Sequence, residues 1–249
     1  MKTAFCTDSG KVREQNEDCV GVFFGNKCVF GLVADGMGGH AAGEIASKMA
    51  VDLSAEKFSG HSGLFTQDEA ELWLNHLIRG VNLHLYEYAE AHAECRGMGT
   101  TFAGALCTNE FITITSVGDS RIYIWNKGHL VKQITEDHTF VNELLKSGQI
   151  TMEQAVDHPK RHILMRSLGT EPTIALDTST FEWTNGSHIL ICSDGLTNKL
   201  SDEKLSEIME DAKSLREKTD MMIKEANHSG GEDNISVVII SNDGDGDKE

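Results

Sequence analysis

The middle of the chain alternates short apolar runs with brief polar turns, a pattern typical of a β-sheet. In the run Arg121–Trp125, two isoleucines alternate with a tyrosine and a tryptophan, so both faces of this strand are apolar. A strand of that kind lies in a sheet that is covered on both sides. The pattern therefore predicts a four-layer stack of the α+β class, with helices on one face of the sheet and a second sheet on the other.

The same strand pattern recurs towards both ends of the chain. Two of the early runs are separated only by Gly25-Asn26-Lys27 and are predicted to form a hairpin. The predicted strands are Lys2–Cys6, Cys19–Phe24, Cys28–Asp35, Thr100–Cys107, Phe111–Val117, Arg121–Trp125, Leu130–Ile134, Ala175–Trp183, His188–Cys192 and Ile235–Ser241.

Apolar residues at helical spacing predict the outer layers. Thr66-Gln67-Asp68-Glu69 and Ser214-Leu215-Arg216-Glu217 have the residue types of a capping box, which marks the first turn of a helix. The predicted helices are Ala41–Phe58, one that begins at Thr66, Ser201–Met209 and Ser214–His228.

Residues 135–170 interrupt the strands with two short amphipathic pieces, at Thr139–Lys146 and Thr151–Val156. Lys160–Ser167 follows them and is expected to be helical. An insertion of this kind often shapes a binding site. His158 and His162 stand four residues apart, as zinc ligands often do, but Pro159 lies between them and no third ligand is apparent. We therefore predict a flap over a site in this region, without zinc.

Composition adds limits to this picture. The chain has 249 residues and only two prolines, with no linker-like segment, so we predict one domain over residues 1–241 followed by an acidic, disordered tail at 242–249. The formal net charge of −17 argues against nucleic acid or an anionic membrane as a partner. The six cysteines include no C-x-x-C pair, and no signal peptide or membrane span is evident. We predict reduced thiols and a cytoplasmic location.

Aspartates stand at the ends of the predicted strands. Asp35, Asp119 and Asp194 each follow an apolar run, and Asp233 precedes one. Carboxylates gathered at one end of a sheet repel one another unless a cation neutralises them, and an all-oxygen site suits Mg²⁺ or Mn²⁺. Four acids are enough for two ions ~3.5–4 Å apart with a bridging hydroxide as nucleophile. The alternative for each single aspartate is a turn cap.

Glycines follow the first of these aspartates closely, in Asp35-Gly36-Met37-Gly38-Gly39-His40. A glycine turn of this kind suits a cation or a phosphate equally well. The position of the other aspartates favours the cation.

Six motifs, in order, resemble the metal-dependent serine/threonine protein phosphatases of the 2C type (PPM family), in particular the compact bacterial members. The resemblance runs from Thr7 to Ile240, nearly the whole chain. The motifs are Arg13-Glu14-Gln15-Asn16-Glu17-Asp18, Ala34-Asp35-Gly36-Met37-Gly38-Gly39-His40, Gly97-Met98-Gly99-Thr100-Thr101, Val117-Gly118-Asp119-Ser120-Arg121, Ser193-Asp194-Gly195-Leu196 and Gly231-Glu232-Asp233-Asn234.

The resemblance implies an αββα sandwich with two central, mostly antiparallel sheets and a two-metal cleft at one end of them. It implies hydrolysis of phosphoserine and phosphothreonine in proteins without a phosphoenzyme. The expected cofactors are Mn²⁺ or Mg²⁺, two ions per site with a weaker third. The expected partners are phosphorylated protein substrates and an opposing Ser/Thr protein kinase, with the chain itself a monomer.

The resemblance also implies a role for each motif residue. Asp35 bridges two ions and the Gly36 carbonyl binds one. The first ion is completed by Asp194 and Asp233, the second is held by Glu17 through water with Asp18 beside it, and Asp119 with Asp194 binds the third ion.

Two further residues have chemistry suited to phosphoryl transfer. Arg13 offers a planar fork to two phosphate oxygens, and its alternative is a surface ion pair. His40 has a reference pKa suited to protonating a leaving alkoxide, and its alternative is a turn residue.

Two other functions share parts of this pattern. A non-catalytic phosphoprotein-binding module on the same fold has no need for all of the acids. A metal-dependent nuclease shares the two-metal logic but needs a basic surface, which so acidic a chain lacks. The intact set of acids favours the phosphatase.

Overall fold

The structure, a computed structural model, describes residues 1–39, 41–61 and 63–243. The predicted tail at 242–249 therefore lies mostly outside the described residues, as does His40. In chain order the strands are β1 Lys2–Asp8, β2 Asp18–Gly25, β3 Cys28–Met37, β4 Gly99–Thr100, β5 Phe102–Thr108, β6 Phe111–Val117, β7 Arg121–Trp125, β8 Lys132–Gln133, β9 Asp177–Glu182, β10 His188–Cys192 and β11 Ile235–Ser241. The helices are α1 Ala42–Ser59, α2 Gln67–Ala91, α3 Phe140–Lys146, α4 Met152–Val156, α5 Asp194–Thr197, α6 Asp202–Glu210 and α7 Leu215–His228, with a 3₁₀ turn at Ala93–Cys95.

The strands form two antiparallel sheets that stack face to face. One sheet has the order β1-β11-β10-β7-β8, and the other β2-β3-β5-β6-β9 with β4 paired to the end of β3. Buried residues such as Val33 and Ile112 of one sheet and Ile191 and Val238 of the other fill the layer between them. Helices α1 and α2 cover the second sheet and α5, α6 and α7 the first. The predicted αββα sandwich is confirmed.

The helical layers follow from local signals in the sequence. Thr66 accepts a hydrogen bond from the Glu69 backbone and Glu69 bonds back, which completes the predicted capping box of α2. Phe30 of β3 meets Trp73 of α2 edge-on, with ring centres 5.3 Å apart. Such aromatic pairs stabilise packing beyond the area that they bury. These contacts fix α2 across its sheet.

Two predicted elements differ from the structure. Leu130–Ile134 is predicted as a strand, and β8 covers only Lys132–Gln133 of it. The Ile134 N–H still donates to Ile122 of β7, but the Val131 N–H donates to the Ser206 hydroxyl instead. Lys160–Ser167 forms turns and an isolated bridge rather than a helix. Its backbone bonds go to the start of α3, where the Phe140 N–H donates to the Ile163 carbonyl. A neighbouring chain segment therefore replaces the helical bonds.

The six cysteines form no disulfide, and four of them, Cys28, Cys95, Cys107 and Cys192, are buried. This agrees with the predicted reduced thiols. Within the described ranges, no helix combines the length and the apolar character required for a membrane crossing.

Candidate active site

A cleft of about 740 Å³ opens at one end of the two sheets. Its walls come from the ends of β3 and β10, the turn between β6 and β7, the segment before β11 and the flap of residues 135–170. Most of the predicted site residues line it, from positions far apart in the chain. They are Arg13, Glu17, Asp35, Gly36, Asp119, Asp194 and Asp233.

The backbone of Asp35 is held by hydrogen bonds at both its N–H and its carbonyl. Its N–H donates to the Thr101 hydroxyl over 2.9 Å, and its carbonyl accepts from the Thr101 N–H at 2.8 Å. The Thr100 hydroxyl also donates to that carbonyl, at 2.9 Å. Both threonines are buried. Their hydrogen bonds therefore fix the position of the backbone at the end of β3, which carries the Asp35 carboxylate.

The glycine after each central aspartate is required by close packing. A Cβ atom on Gly36 would lie 2.0 Å from the Gly43 carbonyl oxygen of α1. A Cβ atom on Gly195 would lie 2.0 Å from the Asn234 carbonyl oxygen. No side chain fits at such distances from rigid backbone, so the Asp-Gly pairs let α1 and the segment before β11 approach the two aspartates.

Asp18 lies buried behind the cleft wall. The fully buried Ser193 hydroxyl donates to Asp18 Oδ2 at 2.7 Å, while Asp18 Oδ1 is buried without a partner among the described residues. Burial raises the pKa of Asp18 to about 7, with Asp194 and Asp233 adding repulsion. An unpartnered buried carboxylate oxygen needs a donor, a water or a cation.

The other carboxylates repel each other in the same way. Burial raises the pKa of Asp35, and Asp18, Asp194, Asp119 and Asp233 raise it further. Burial and the Asp194 charge raise the pKa of Asp119 to about 7. The pKa of Asp194 is also raised, first by burial and then by Asp233. Such mutual repulsion is what a bound cation relieves.

These residues suit a hard divalent cation. The atoms that would bind the cation are carboxylate and carbonyl oxygens. Asp18 Oδ1, which is buried without a partner among the described residues, would be stabilised by a positive charge. Within the described part of the chain, no three acidic, histidine or cysteine side chains already stand close enough to ligate one ion together. Carboxylate repulsion opposes a closer approach, so we expect the side chains to close in when an ion neutralises them.

Arg13 stands at the mouth of the cleft, paired with Asp233. Its Nε lies 3.0 Å from Asp233 Oδ1, and its Nη2 donates to Asp233 Oδ2 at 3.1 Å. The half-exposed fork therefore holds an acid at the position where phosphate binding was predicted. The guanidinium group of an arginine can bind either a carboxylate or a phosphate. This position of Arg13 is therefore consistent with both a surface ion pair and a phosphate contact.

Asn234 ties the two ends of the chain together beside the cleft. Its Oδ1 accepts from the Glu17 N–H at 2.8 Å, and its Nδ2 donates to the Ser9 and Gln15 carbonyls at 3.0 and 2.9 Å. This side chain is buried, at 6% exposure. It fixes the loop that carries Arg13 and Glu17 against the segment that carries Asp233.

We expect Asn234→Ala to lower the free energy of unfolding by about 2–3 kcal/mol, because three buried backbone groups lose their partner. Turnover should fall as well, since the loop with Glu17 is released. Urea unfolding of both proteins measures the first effect. Asn75→Ala is the control: it removes a hydrogen-bonding asparagine of α2 far from the cleft and should leave turnover unchanged. Normal turnover in Asn234→Ala would contradict this role.

Several cleft residues escaped the sequence analysis. Asn198 Nδ2 donates to Asp194 Oδ2 at 2.9 Å, and Lys199 pairs with Glu232 across the cleft wall. Arg161 and His162 reach the cleft from the flap. His162 had been considered only as a zinc ligand. The spacing of Asn198, one turn after Asp194 in a short helix, was the one signal that could have identified it.

Carboxylates gathered at one end of an αββα sandwich are the arrangement of a metal-dependent phosphatase site. Comparison with known proteins identifies the family. The family described as protein phosphatase 2C matches residues 10–229. The serine/threonine phosphatase stp of Listeria monocytogenes is 42% identical over 245 residues, which cover 98% of this chain and 96% of that protein. Protein phosphatase PhpP of Streptococcus pneumoniae is 36% identical, with 97% of each chain covered.

Solved structures agree. A bacterial serine phosphatase superposes with a TM-score of 0.92 at 36% identity over the whole of both chains. The catalytic domain of the phosphatase PstP, solved with two manganese ions, superposes with a TM-score of 0.82 at 33% identity and 96% coverage of each chain. The chain belongs to the protein phosphatase 2C family. It is a metal-dependent serine/threonine protein phosphatase.

Proposed function

We propose that the cleft hydrolyses phosphoserine and phosphothreonine in proteins with two divalent cations, Mn²⁺ or Mg²⁺, and a weaker third. The observation that carries this proposal is the convergence of acids from distant motifs on one cleft, together with the raised pKa values of Asp18, Asp35, Asp119 and Asp194. The PstP structure with two manganese ions supports the number of ions. When bound, the cations supply an activated water and neutralise charge on the phosphoryl group.

The family resemblance and the lining of the cleft support an assignment of the ligands. Asp35, which lies within hydrogen-bonding reach of Asp194, would be the central ligand. The other groups that would hold the cations are the Gly36 carbonyl, Asp194, Asp233, Asp119 and Glu17 in the cleft wall, with Asp18 buried behind it.

The chain's own groups then orient the substrate. Arg13 is half-exposed and can turn its two N–H donors from Asp233 to two phosphate oxygens. Thr101 has the only hydroxyl among the described residues that line the cleft, and it is already bonded to Asp35 and Ser120. No serine or cysteine nucleophile is therefore available there. This supports attack by water rather than by a hydroxyl or a thiol of the chain.

Release of inorganic phosphate from a phosphothreonine peptide tests the proposal. We expect turnover with Mn²⁺ or Mg²⁺ and none in excess EDTA, with full recovery on adding Mn²⁺ back. Turnover that persists in EDTA would remove the cations from the reaction. Peptide binding without turnover under any metal would favour the non-catalytic binding module instead.

His40 lies outside the described residues, so its role rests on its place in the motif. We expect His40→Ala to lower kcat more on alkyl phosphates than on p-nitrophenyl phosphate, whose leaving group needs little protonation. The measurement is the ratio of the two kcat values in the variant and the parent. His84→Ala, an exposed histidine on α2, is the control. An equal loss on both substrates would argue against a general acid.

The proposal extends to how the chain is used. Residues 1–241 form one catalytic unit, and residues 135–170 form a flap that touches the substrate. The chain acts as a cytoplasmic monomer opposite a Ser/Thr protein kinase. The assignment of residues 135–170 as a flap is supported by three of its residues that lie in the cleft wall, Arg161, His162 and Leu164.

A further inference from the structure

A second cavity, of about 500 Å³, lies at the other end of the first sheet. Strand β10 starts at this cavity with His188 and ends at the active site, where Asp194 follows it. At about 3.3 Å per residue the two sites are roughly 20 Å apart. A volume of this size is in the range of small-molecule sites.

Lys218 of α7 presents a buried ammonium group to this cavity. The residue is only 6% exposed, and its Nζ donates to the Met209 carbonyl and lies 5.5 Å from the centre of the Trp125 ring. No described carboxylate forms an ion pair with it. An ammonium has three donors, and burying its charge without an anion is costly. Burial accordingly lowers the pKa of Lys218.

Trp125 contributes a donor without an acceptor. The residue is 4% exposed, and its indole Nε1 is buried with no hydrogen-bond partner among the described residues. His188 packs edge-on against the ring at 5.0 Å and leaves the N–H unpaired. Buried indole N–H groups usually find a partner. The neighbouring Lys218 ammonium has one acceptor, the Met209 carbonyl, for its three donors. Both groups that line this cavity therefore have an unused donor.

The charges around the cavity leave an excess of cations. The Glu210 carboxylate accepts from the Gly128 N–H at 2.9 Å, and Asp211 pairs with Lys213. The lining holds four lysines, Lys2, Lys127, Lys213 and Lys218, and three acids, Glu210, Asp211 and Asp243, so the excess is one positive charge. Such a local excess of positive charge is unusual on a chain of net charge −17. It favours an anionic ligand.

We propose that this cavity binds a carboxylate with a small apolar body. One carboxylate has two acceptor oxygens, one for the ammonium and one for the indole N–H. The two groups are neighbours, with Lys218 Nζ over the Trp125 ring and 5.5 Å from its centre. The apolar lining, Met209, Ala212 and Leu215, suits the body of such a ligand. The carboxylate can come from a free molecule or from Asp245, Asp247 or Glu249 of this chain, which follow the lining residue Asp243.

Titration with sodium benzoate, followed by the indole ¹H–¹⁵N signals, tests the proposal on the full chain. The protein has three tryptophans, and Trp125→Phe assigns the relevant signal. We expect that signal to shift saturably. Lys218→Met, which keeps the side-chain length, should weaken benzoate binding by about tenfold or more. Lys224→Met, an exposed lysine of the same helix, should bind as the parent does.

A full chain with Asp245→Asn, Asp247→Asn and Glu249→Gln distinguishes the two sources. Tighter benzoate binding in this variant identifies the chain's own acids as the occupant, and unchanged binding identifies a free carboxylate. Both support the site. Absence of a saturable shift in the parent and in this variant, or equal affinity in Lys218→Met with its thermal unfolding and phosphatase turnover intact, would overturn it. Preference for inorganic phosphate over benzoate in competition would overturn the carboxylate class.

Discussion

Asp194→Asn is expected to abolish turnover while the protein stays folded. Asp194 begins α5 directly after β10, lies beside Asp35 and faces Asp119 and Asp233. An amide is a poorer ligand for a hard cation than a carboxylate, and metal ions supply several kcal/mol of charge stabilisation in hydrolysis. The expected loss in kcat is on the order of 10³-fold. Phosphate release at saturating Mn²⁺ measures it.

The same variant should be at least as stable as the parent without metal. Asparagine keeps an oxygen that can accept from Asn198, which now bonds to Asp194 at 2.9 Å, and it removes one charge from a repelling cluster. Thermal unfolding in EDTA should therefore occur at the same or a higher temperature. Asp68→Asn, an exposed acid in the first turn of α2, is the matched control. Near-parental turnover in Asp194→Asn would remove Asp194 from the site.

The metal-free protein is expected to lose stability as the pH rises from about 4 to 7. Asp18 and Asp119 have pKa values raised to about 7 in the folded chain, against about 4 for an unfolded aspartate. Between these values the folded state binds more protons than the unfolded state, so deprotonation favours unfolding. Each such group changes the free energy of unfolding by about 1.4 kcal/mol per pH unit.

Mn²⁺ should reverse this slope, because the ion displaces the protons and binds the charged carboxylates. Urea unfolding in EDTA and in excess Mn²⁺, at several pH values between 4 and 7, measures both trends. Asp18→Asn should flatten the metal-free curve, because the group with the orphaned oxygen no longer titrates. A metal-free protein that becomes more stable over this range would show that the carboxylates are not repelling one another.

Sequence patterns were sufficient where a signal is local. The capping box at Thr66 marked the start of α2, and the strands Phe111–Val117 and His188–Cys192 were predicted with their observed bounds. The strand predicted from Leu130 begins later, at Lys132, because a distant hydroxyl, Ser206, accepts the Val131 N–H that a sheet would need. Such competition between partners is decided by the tertiary structure and leaves no periodicity in the sequence.

The candidate site also contains residues that the sequence could predict and residues that it could not. The aspartates could be predicted because strand ends converge and because the motifs are ordered. The residues that hold them in place could not be predicted as supports, since Ser193, Thr101 and Asn234 act through contacts with residues far away in the chain. A serine before an aspartate has no special meaning until its hydroxyl is seen to reach Asp18.

The neighbouring positions of β1 and β11 have a consequence for biosynthesis. In the described part of the chain β1 pairs only with β11, and Asp233 lies two residues before β11. A nascent chain therefore lacks a partner for β1 and one of the acids of the cleft until residues 233–241 have left the ribosome. The cleft cannot be complete before that segment has folded against β1.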